Sequence, residues 1–268
     1  MSQHTQAAQI PPIRHEGSEN FPYLGSEKPK RTRRPEISLP KKGHVMLKDG
    51  IAYLLKFAPR ETYIDDLING RLYMSAAGYY HGLPGEQGDP LEASMAPGVC
   101  LYGYSCLPIY CMYTVCENDI VDNTVKILIR MIKEFGCADG WISIVQHDSF
   151  ARLADRHTTV DGSIYAHGPI SYGVPGQKLI REIFEGIPHN LVIKTPKYAY
   201  QKEYRIIGSL PVECRLLPDE NRPGCKIEKY DHAEVDLSSS LADFSCKVSV
   251  ASLEEAQDGL MLELPHHV

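Results

Sequence analysis

The chain has 268 residues, 43% of them hydrophobic and 23% charged, with a formal net charge of −6. These are the proportions of a soluble globular protein, long enough for one large domain or two small ones, and the charge does not announce nucleic-acid or membrane binding. No stretch approaches about eighteen apolar residues, and the first residues lack the basic-then-apolar layout of a signal peptide. The expectation is a cytoplasmic protein with no membrane partner, delivery into a target cell by a route that needs no cleavable signal being the alternative.

Residues 1–43 differ from the rest. Pro11, Pro12, Pro22, Pro29, Pro35 and Pro40 interrupt them, and Lys28, Lys30, Arg31, Arg33 and Arg34 make a basic run followed by Lys41 and Lys42. Such a segment buries too little apolar surface to offset its ordering entropy. It reads as a flexible Pro-rich basic arm: a soluble tail, a linker, a delivery junction or a binding arm whose bases reach phosphates.

Residues 44–268 read as a single folded domain. Val45–Leu47 and Ile51–Phe57 predict strands around the Asp49-Gly50 turn. Pro59 opens a helix over Arg60–Asn69 that Gly70 stops, and a strand over Leu72–Ser75 follows. Residues 83–98 read as a loop. Val99–Val115 predicts two strands broken at Leu107-Pro108, with Pro108 at an edge or bend. Val125, Leu128, Ile129 and Ile132 form an apolar stripe that predicts a helix over Asn123–Phe135, closed by Gly136. Trp141–Val145 is expected as a strand, Asp148 as the cap of a short helix to Asp155, and Gly162–Tyr172 as a strand or hairpin. A helix over Lys178–Phe184 and a strand over Asn190–Ile193 precede a strand over Lys197–Ile207. A Pro/Asp/Gly-rich loop at Leu217–Gly224 leads to strands near Lys226–Lys229, Ala233–Leu237, Cys246–Val250 and Leu260–Glu263. Short strands among few helices, without a steady βαβ rhythm, indicate a mixed α+β fold with mostly antiparallel strands.

Eight cysteines raise the question of metal. Cys100, Cys106, Cys111 and Cys116 lie in apolar, Tyr-rich sequence without a Cys-x-x-Cys hook or a nearby histidine cluster, so they read as small buried hydrophobes and no metal is expected. Apolar neighbours would also raise the pKa of Cys111 and blunt it as a nucleophile. Phosphate-binding loops, dinucleotide fingerprints, His-Glu-x-x-His and Gly-x-Ser-x-Gly elbows are missing from the sequence.

One stretch carries chemistry. If Lys197–Ile207 is a strand, Gln201 and Glu203 share a face two residues apart, an amide beside a carboxylate within an aromatic, apolar run. Gln201-Lys202-Glu203 resembles the Gln-x-Glu signature of ADP-ribosyltransferases. The unit from Ile51 to Ser75 (strand, helix ending in Gly, strand ending in Ser) looks like the opening of that fold. Leu55-Lys56-Phe57, Asn69-Gly70-Arg71-Leu72-Tyr73 and Gln201-Lys202-Glu203-Tyr204-Arg205 also form a skeleton shared with uncharacterised phage and bacterial proteins.

The resemblance implies an ADP-ribosyltransferase-like split sheet and NAD as substrate. Glu203 is then the carboxylate that stabilises the oxocarbenium-like transition state, and Gln201 faces the acceptor. Ser75 orients Glu203 or the ribose. Tyr73, Tyr79, Tyr80 or Tyr165 stacks on nicotinamide, while Lys56, where the family carries Arg or His, and Arg60 face the pyrophosphate. It further implies a toxin, effector or defence protein acting on a protein or nucleic-acid acceptor, with an immunity or antitoxin protein as a neutralising partner. The alternative is a non-catalytic interaction module: sixteen tyrosines against six phenylalanines offer area with a polar tip at an interface.

Overall fold

The computed structural model describes residues 50–82, 94–96, 99–100, 105–135, 137–173, 191–218 and 226–265. The expectations for the arm (1–43), the strand at 45–47, most of the 83–98 loop, Gly136 and the helix at 178–184 fall outside these residues.

Strand β1 (Ile51–Ala58) is followed by α1 (Glu61–Ile68) and β2 (Arg71–Ala76). The helix stops where expected: Gly70 has φ of +82°, and a Cβ there would sit 2.3 Å from the Ser239 carbonyl oxygen. Only glycine meets both demands. A 3-10 turn over Ala77–Gly82 leads on to β3 (Ser94–Ala96) and β4 (Val99–Cys100), a short pair inside the expected loop region. Strand β5 (Pro108–Cys116) is central and buried along most of its length. Pro108 is its first residue, a position where a missing N–H costs no ladder bond.

The stretch 123–135 departs from the predicted helix. Asp122 and Asn123 both have positive φ (49° and 61°), joining β6 (Ile120–Val121) to β7 (Thr124–Leu128) by a tight hairpin. Along β7, Val125 and Ile127 alternate inward, and the helix α2 starts only at Ile129 and ends at Glu134. Two left-handed turn residues and β-branched alternation outweighed the helical spacing of the apolar stripe. Strand β8 (Trp141–Gln146) runs straight into α3 (His147–Thr159), which is longer than expected. Asp148 lies in its first turn and makes no capping bond, since its carboxylate pairs with His147 Nδ1 at 2.9 Å.

Strands β9 (Ile164–Pro169), β10 (Ser171–Tyr172) and the two-residue β11 (Ile193–Lys194) precede the Gln-x-Glu stretch, which is not one strand. Pro196–Gln201 is a 3-10 turn, Lys202 is left-handed (φ 38°, ψ 51°), and β12 covers only Glu203–Gly208. Pro196 pre-sets the turn, and both the N–H and hydroxyl of Thr114 donate to the Lys202 carbonyl at 2.7 Å, holding the kink. The remaining strands are β13 (Cys214–Pro218), β14 (Lys226–Tyr230), β15 (His232–Asp236), β16 (Ser245–Ser249), β17 (Glu254–Ala256) and β18 (Gly259–Glu263).

The architecture is α+β and mostly antiparallel. An eight-stranded sheet runs β15-β2-β5-β1-β8-β16, with β12 on β5 and β9 on β12. On one face α1 and α3 pack Leu67, Phe150 and Leu153 against Leu54, Met112, Tyr204 and Ile206. On the other, α2 and a small sheet of order β17-β18-β7-β6 pack Met131, Val125 and Leu262 against Leu55, Phe57 and Tyr113. Burial on both faces is why β5 reads as a near-continuous apolar run.

The large sheet forks at β5. One edge of β5 carries β12 over Ile109–Tyr113. The other carries β1 only from Tyr113 onward and β2 only at Pro108 and Ile109. Residues 110–112 therefore lie in the gap where β1 and β2 part.

Candidate active site

A cavity of about 240 Å³ opens at this fork. Its apolar wall includes Leu55, Phe57, Tyr113, Met131 and Phe135. Phe57 stacks on Phe135 with ring centroids 5.6 Å apart and meets Tyr113 edge-on. Its polar wall is Lys56, Cys111, Lys194, Gln201, Glu203 and Arg205, and Tyr79 and Tyr80 also line it. An apolar cavity with a few convergent polar groups is the usual form of a small-molecule site.

Glu203 is 5% exposed and doubly countered. Arg205 Nε and Nη2 both reach Oε1, at 2.8 and 2.6 Å, and Lys194 Nζ donates to Oε2 at 2.9 Å. The Glu203 backbone N–H donates to the Tyr172 phenol oxygen at 2.7 Å. Burial alone would raise the Glu203 pKa. The Arg205 and Lys194 charges, with hydrogen bonds from Cys111 and Lys194, overcome it and hold the carboxyl well below the usual carboxylate range. Glu203 is an anion throughout the physiological range. The same site acts oppositely on Cys111, whose thiol is pushed up to about 12 by burial and then by the Glu203 charge.

Gln201 and Glu203 do converge, but strand alternation is not the cause. With Lys202 left-handed between them, the two side chains are tied by Lys194, whose Nζ donates to Gln201 Oε1 at 3.0 Å and to Glu203 Oε2. On the far side of Gln201, Tyr200 donates to both oxygens of Glu134 at 2.7 Å, and Arg130 lies over the Tyr200 ring at 3.8 Å. Gln201 Nε2 reaches the Tyr200 oxygen at 3.5 Å, which orients the amide.

Lys56 sits at the fork itself. Its Nζ donates to the Cys111 carbonyl at 2.9 Å, in the gap between β1 and β2, and lies 4.1 Å from the Tyr110 ring centroid. Burial lowers its pKa, against the raising influence of Cys111 and Glu203.

The structure thus gathers Lys56, Tyr79, Tyr80, Gln201 and Glu203 around one cavity. Tyr73 and Ser75 lie elsewhere. Tyr73 is 56% exposed and stacks on His232 at 4.2 Å, and Ser75 is paired in the ladder between Ile109 and His232, because β2 leaves β5 on the far side of the fork. Tyr165 packs beside Ile109, Leu191 and Ile207 instead of lining the cavity, and Arg60 lies over the Tyr63 ring outside it. Sequence reasoning assigned no role to Lys194 or Arg205. The available signal was a charged residue inside an otherwise apolar strand, as in Leu191-Val192-Ile193-Lys194 and Tyr204-Arg205-Ile206, where burial demands a partner. The chain matches no known protein-family model, no curated protein and no solved structure.

Proposed function

We propose that this chain is an NAD-dependent ADP-ribosyltransferase whose carboxylate is Glu203. The observation that carries the reading is the convergence of Gln201 and Glu203, with Lys56, Tyr79 and Tyr80, on a single cavity at a fork in the sheet. The fork supports an ADP-ribosyltransferase-like split sheet, with β5 as the strand from which the two parts diverge. Breaking the nicotinamide–ribose bond builds positive charge on the ribose, as in glycoside chemistry, and a preformed buried carboxylate stabilises it. Glu203 is ionised without any base to deprotonate it. The cavity is slightly smaller than the roughly 300 Å³ at which ligand pockets begin, which suits the nicotinamide–ribose end of NAD and the phosphate attached to that ribose, with the rest of the dinucleotide outside. Tyr79 and Tyr80 offer ring faces there, Gln201 faces the acceptor, and the acceptor is a protein or nucleic acid, as for a bacterial or phage toxin, effector or defence protein.

The test is NAD hydrolysis and transfer of label from NAD into a cell lysate, wild type against Glu203→Gln, at a temperature where both are folded. Label transfer that vanishes in the variant supports the reading, and NAD cleavage that persists unchanged refutes it. One observation favours a second reading, a non-catalytic interaction module: Tyr63, Tyr73 and Tyr79 are about half exposed (51%, 56% and 49%). The absence of both NAD consumption and a thermal shift with NAD would move the assignment there.

A further inference from the structure

The carboxylate that the proposed reaction needs is held by two cations. Arg205 and Lys194 together cancel the negative charge that a developing ribose cation would draw on, so one of them must withdraw before Glu203 can act. Arg205 is poorly suited to leave. It is 1% exposed, lies in register opposite Cys111, places two nitrogens on Glu203 Oε1 and donates a third bond to the Leu191 carbonyl at 2.6 Å. A planar guanidinium with that many fixed bonds is a rigid fixture. Lys194 differs. It is 8% exposed, but it stands on a two-residue strand and reaches Glu203 and Gln201 with a single ammonium at the end of a flexible four-carbon stem.

We propose that Lys194 is an exchangeable counter-ion: a phosphate or pyrophosphate group of the ligand draws its ammonium away from Glu203 and so unmasks the carboxylate. The consequence for catalysis rests on the transferase reading, but the anion binding does not. A pyrophosphate bridge carries one negative charge and two free acceptor oxygens on each phosphorus, so the pair together outcompetes a single carboxylate oxygen for an ammonium in a partly desolvated cavity. Lys56 lines the same cavity and has no carboxylate in contact among the described residues; its Nζ is bonded to the Cys111 carbonyl. The anion therefore meets two lysines. Gln201 shares the Lys194 ammonium with Glu203, so its release also loosens the amide. Ligand charge and the placement of both motif residues are coupled through one side chain.

The experiment is calorimetric titration of the full chain with inorganic pyrophosphate, for wild type, Lys194→Met and Lys194→Arg, each first checked for folding by thermal melting. Pyrophosphate is expected to bind the wild type, to bind Lys194→Met at least about tenfold more weakly, and to bind Lys194→Arg with an affinity between the two, because a guanidinium keeps the charge but holds Glu203 through more bonds. A wild type that does not bind pyrophosphate at millimolar concentration overturns the proposal whether or not the variants fold, as does equal binding by wild type and a folded Lys194→Met. The catalytic arm compares NAD and nicotinamide mononucleotide with nicotinamide riboside, which lacks phosphate. The wild type should cleave the phosphate-bearing substrates with higher kcat, and Lys194→Met should lose that preference. Pyrophosphate binding without NAD turnover leaves the anion site standing and removes the transferase reading. NAD turnover with no role for Lys194 in binding or preference does the reverse.

Discussion

Replacing Glu203 with Gln keeps the shape of the side chain and deletes the one negative charge between Arg205 and Lys194. All three groups are nine-tenths or more buried. Removing one partner of a buried ion pair leaves uncompensated charge and costs about 3–5 kcal/mol. The amide oxygen still accepts a bond from Arg205, so the lower end applies, about 3 kcal/mol. For a domain of this size each kcal/mol moves Tm by about 2–4 °C, so the variant should melt roughly 6–12 °C below wild type. The surface supplies the control: Glu213 meets Arg215 at 3.0 Å with both side chains more than half exposed, so Glu213→Gln should cost less than about 1 kcal/mol.

The pH dependence is a second handle on the same group. The folded pKa of Glu203 lies below its unfolded value of about 4.5, so its stabilisation is complete above that value and is lost as pH falls through the folded one. Urea unfolding at pH 7.5, and then stepwise from pH 5 to pH 3, should show wild type losing stability on the acid side and Glu203→Gln losing less, so the two curves converge. A variant within about 1 kcal/mol of wild type at pH 7.5, indistinguishable from the Glu213 control, would refute the buried double ion pair itself.

Three further outcomes follow from the same structure. Cys111, with its thiol pushed up to about 12, should resist alkylation by iodoacetamide at pH 8 until the protein unfolds, as read by peptide mass mapping; rapid native modification would contradict its environment. Lys202→Val should cost about 1–2 kcal/mol because a β-branched residue strains at positive φ, whereas Lys202→Gly should be tolerated despite losing the partly exposed ion pair to Asp119; equal effects in urea unfolding would argue against the left-handed kink. Burial lowers the pKa of His167 against the raising effect of Asp155, so its contribution is present above about pH 6.5 and lost as pH falls below it. Thermal melts of wild type and His167→Gln between pH 7.5 and pH 5 should show a downward slope that the variant flattens.

Much of the fold was legible because it rests on local signals. The β1–α1–β2 unit follows from Pro59, the apolar face with Ile64 and Leu67, and Gly70 as a stop that the structure shows to be doubly required. The stretch 123–135 was misread because Val125, Leu128, Ile129 and Ile132 satisfy a helical period, while the Asp122-Asn123 hairpin and the pairing of β7 with β18 decide the outcome. Pairing partners more than a hundred residues away leave no mark on a local window. The candidate site was legible at the level of its two motif residues and not in its geometry. Alternation placed Gln201 and Glu203 together for the wrong reason, and the residue that joins them, Lys194, lies outside the motif.

That misplacement bears on what a short motif means. On a regular strand, Gln201 and Glu203 would share a face whatever their surroundings. With Lys202 left-handed, their approach depends on Thr114 holding the Lys202 carbonyl, on Tyr200 anchored to Glu134, and on Lys194 bonded to both motif side chains. Three separate parts of the chain converge to hold two side chains at the one place where the sheet divides. A non-glycine residue kept in a sparsely populated conformation persists only where its surroundings over-determine it. Backbone strain at Lys202, a buried carboxylate and its two counter-ions, one of them brought in from β11, coincide at the start of β12, and this coincidence, more than the triplet itself, marks the cavity as the place to test for chemistry.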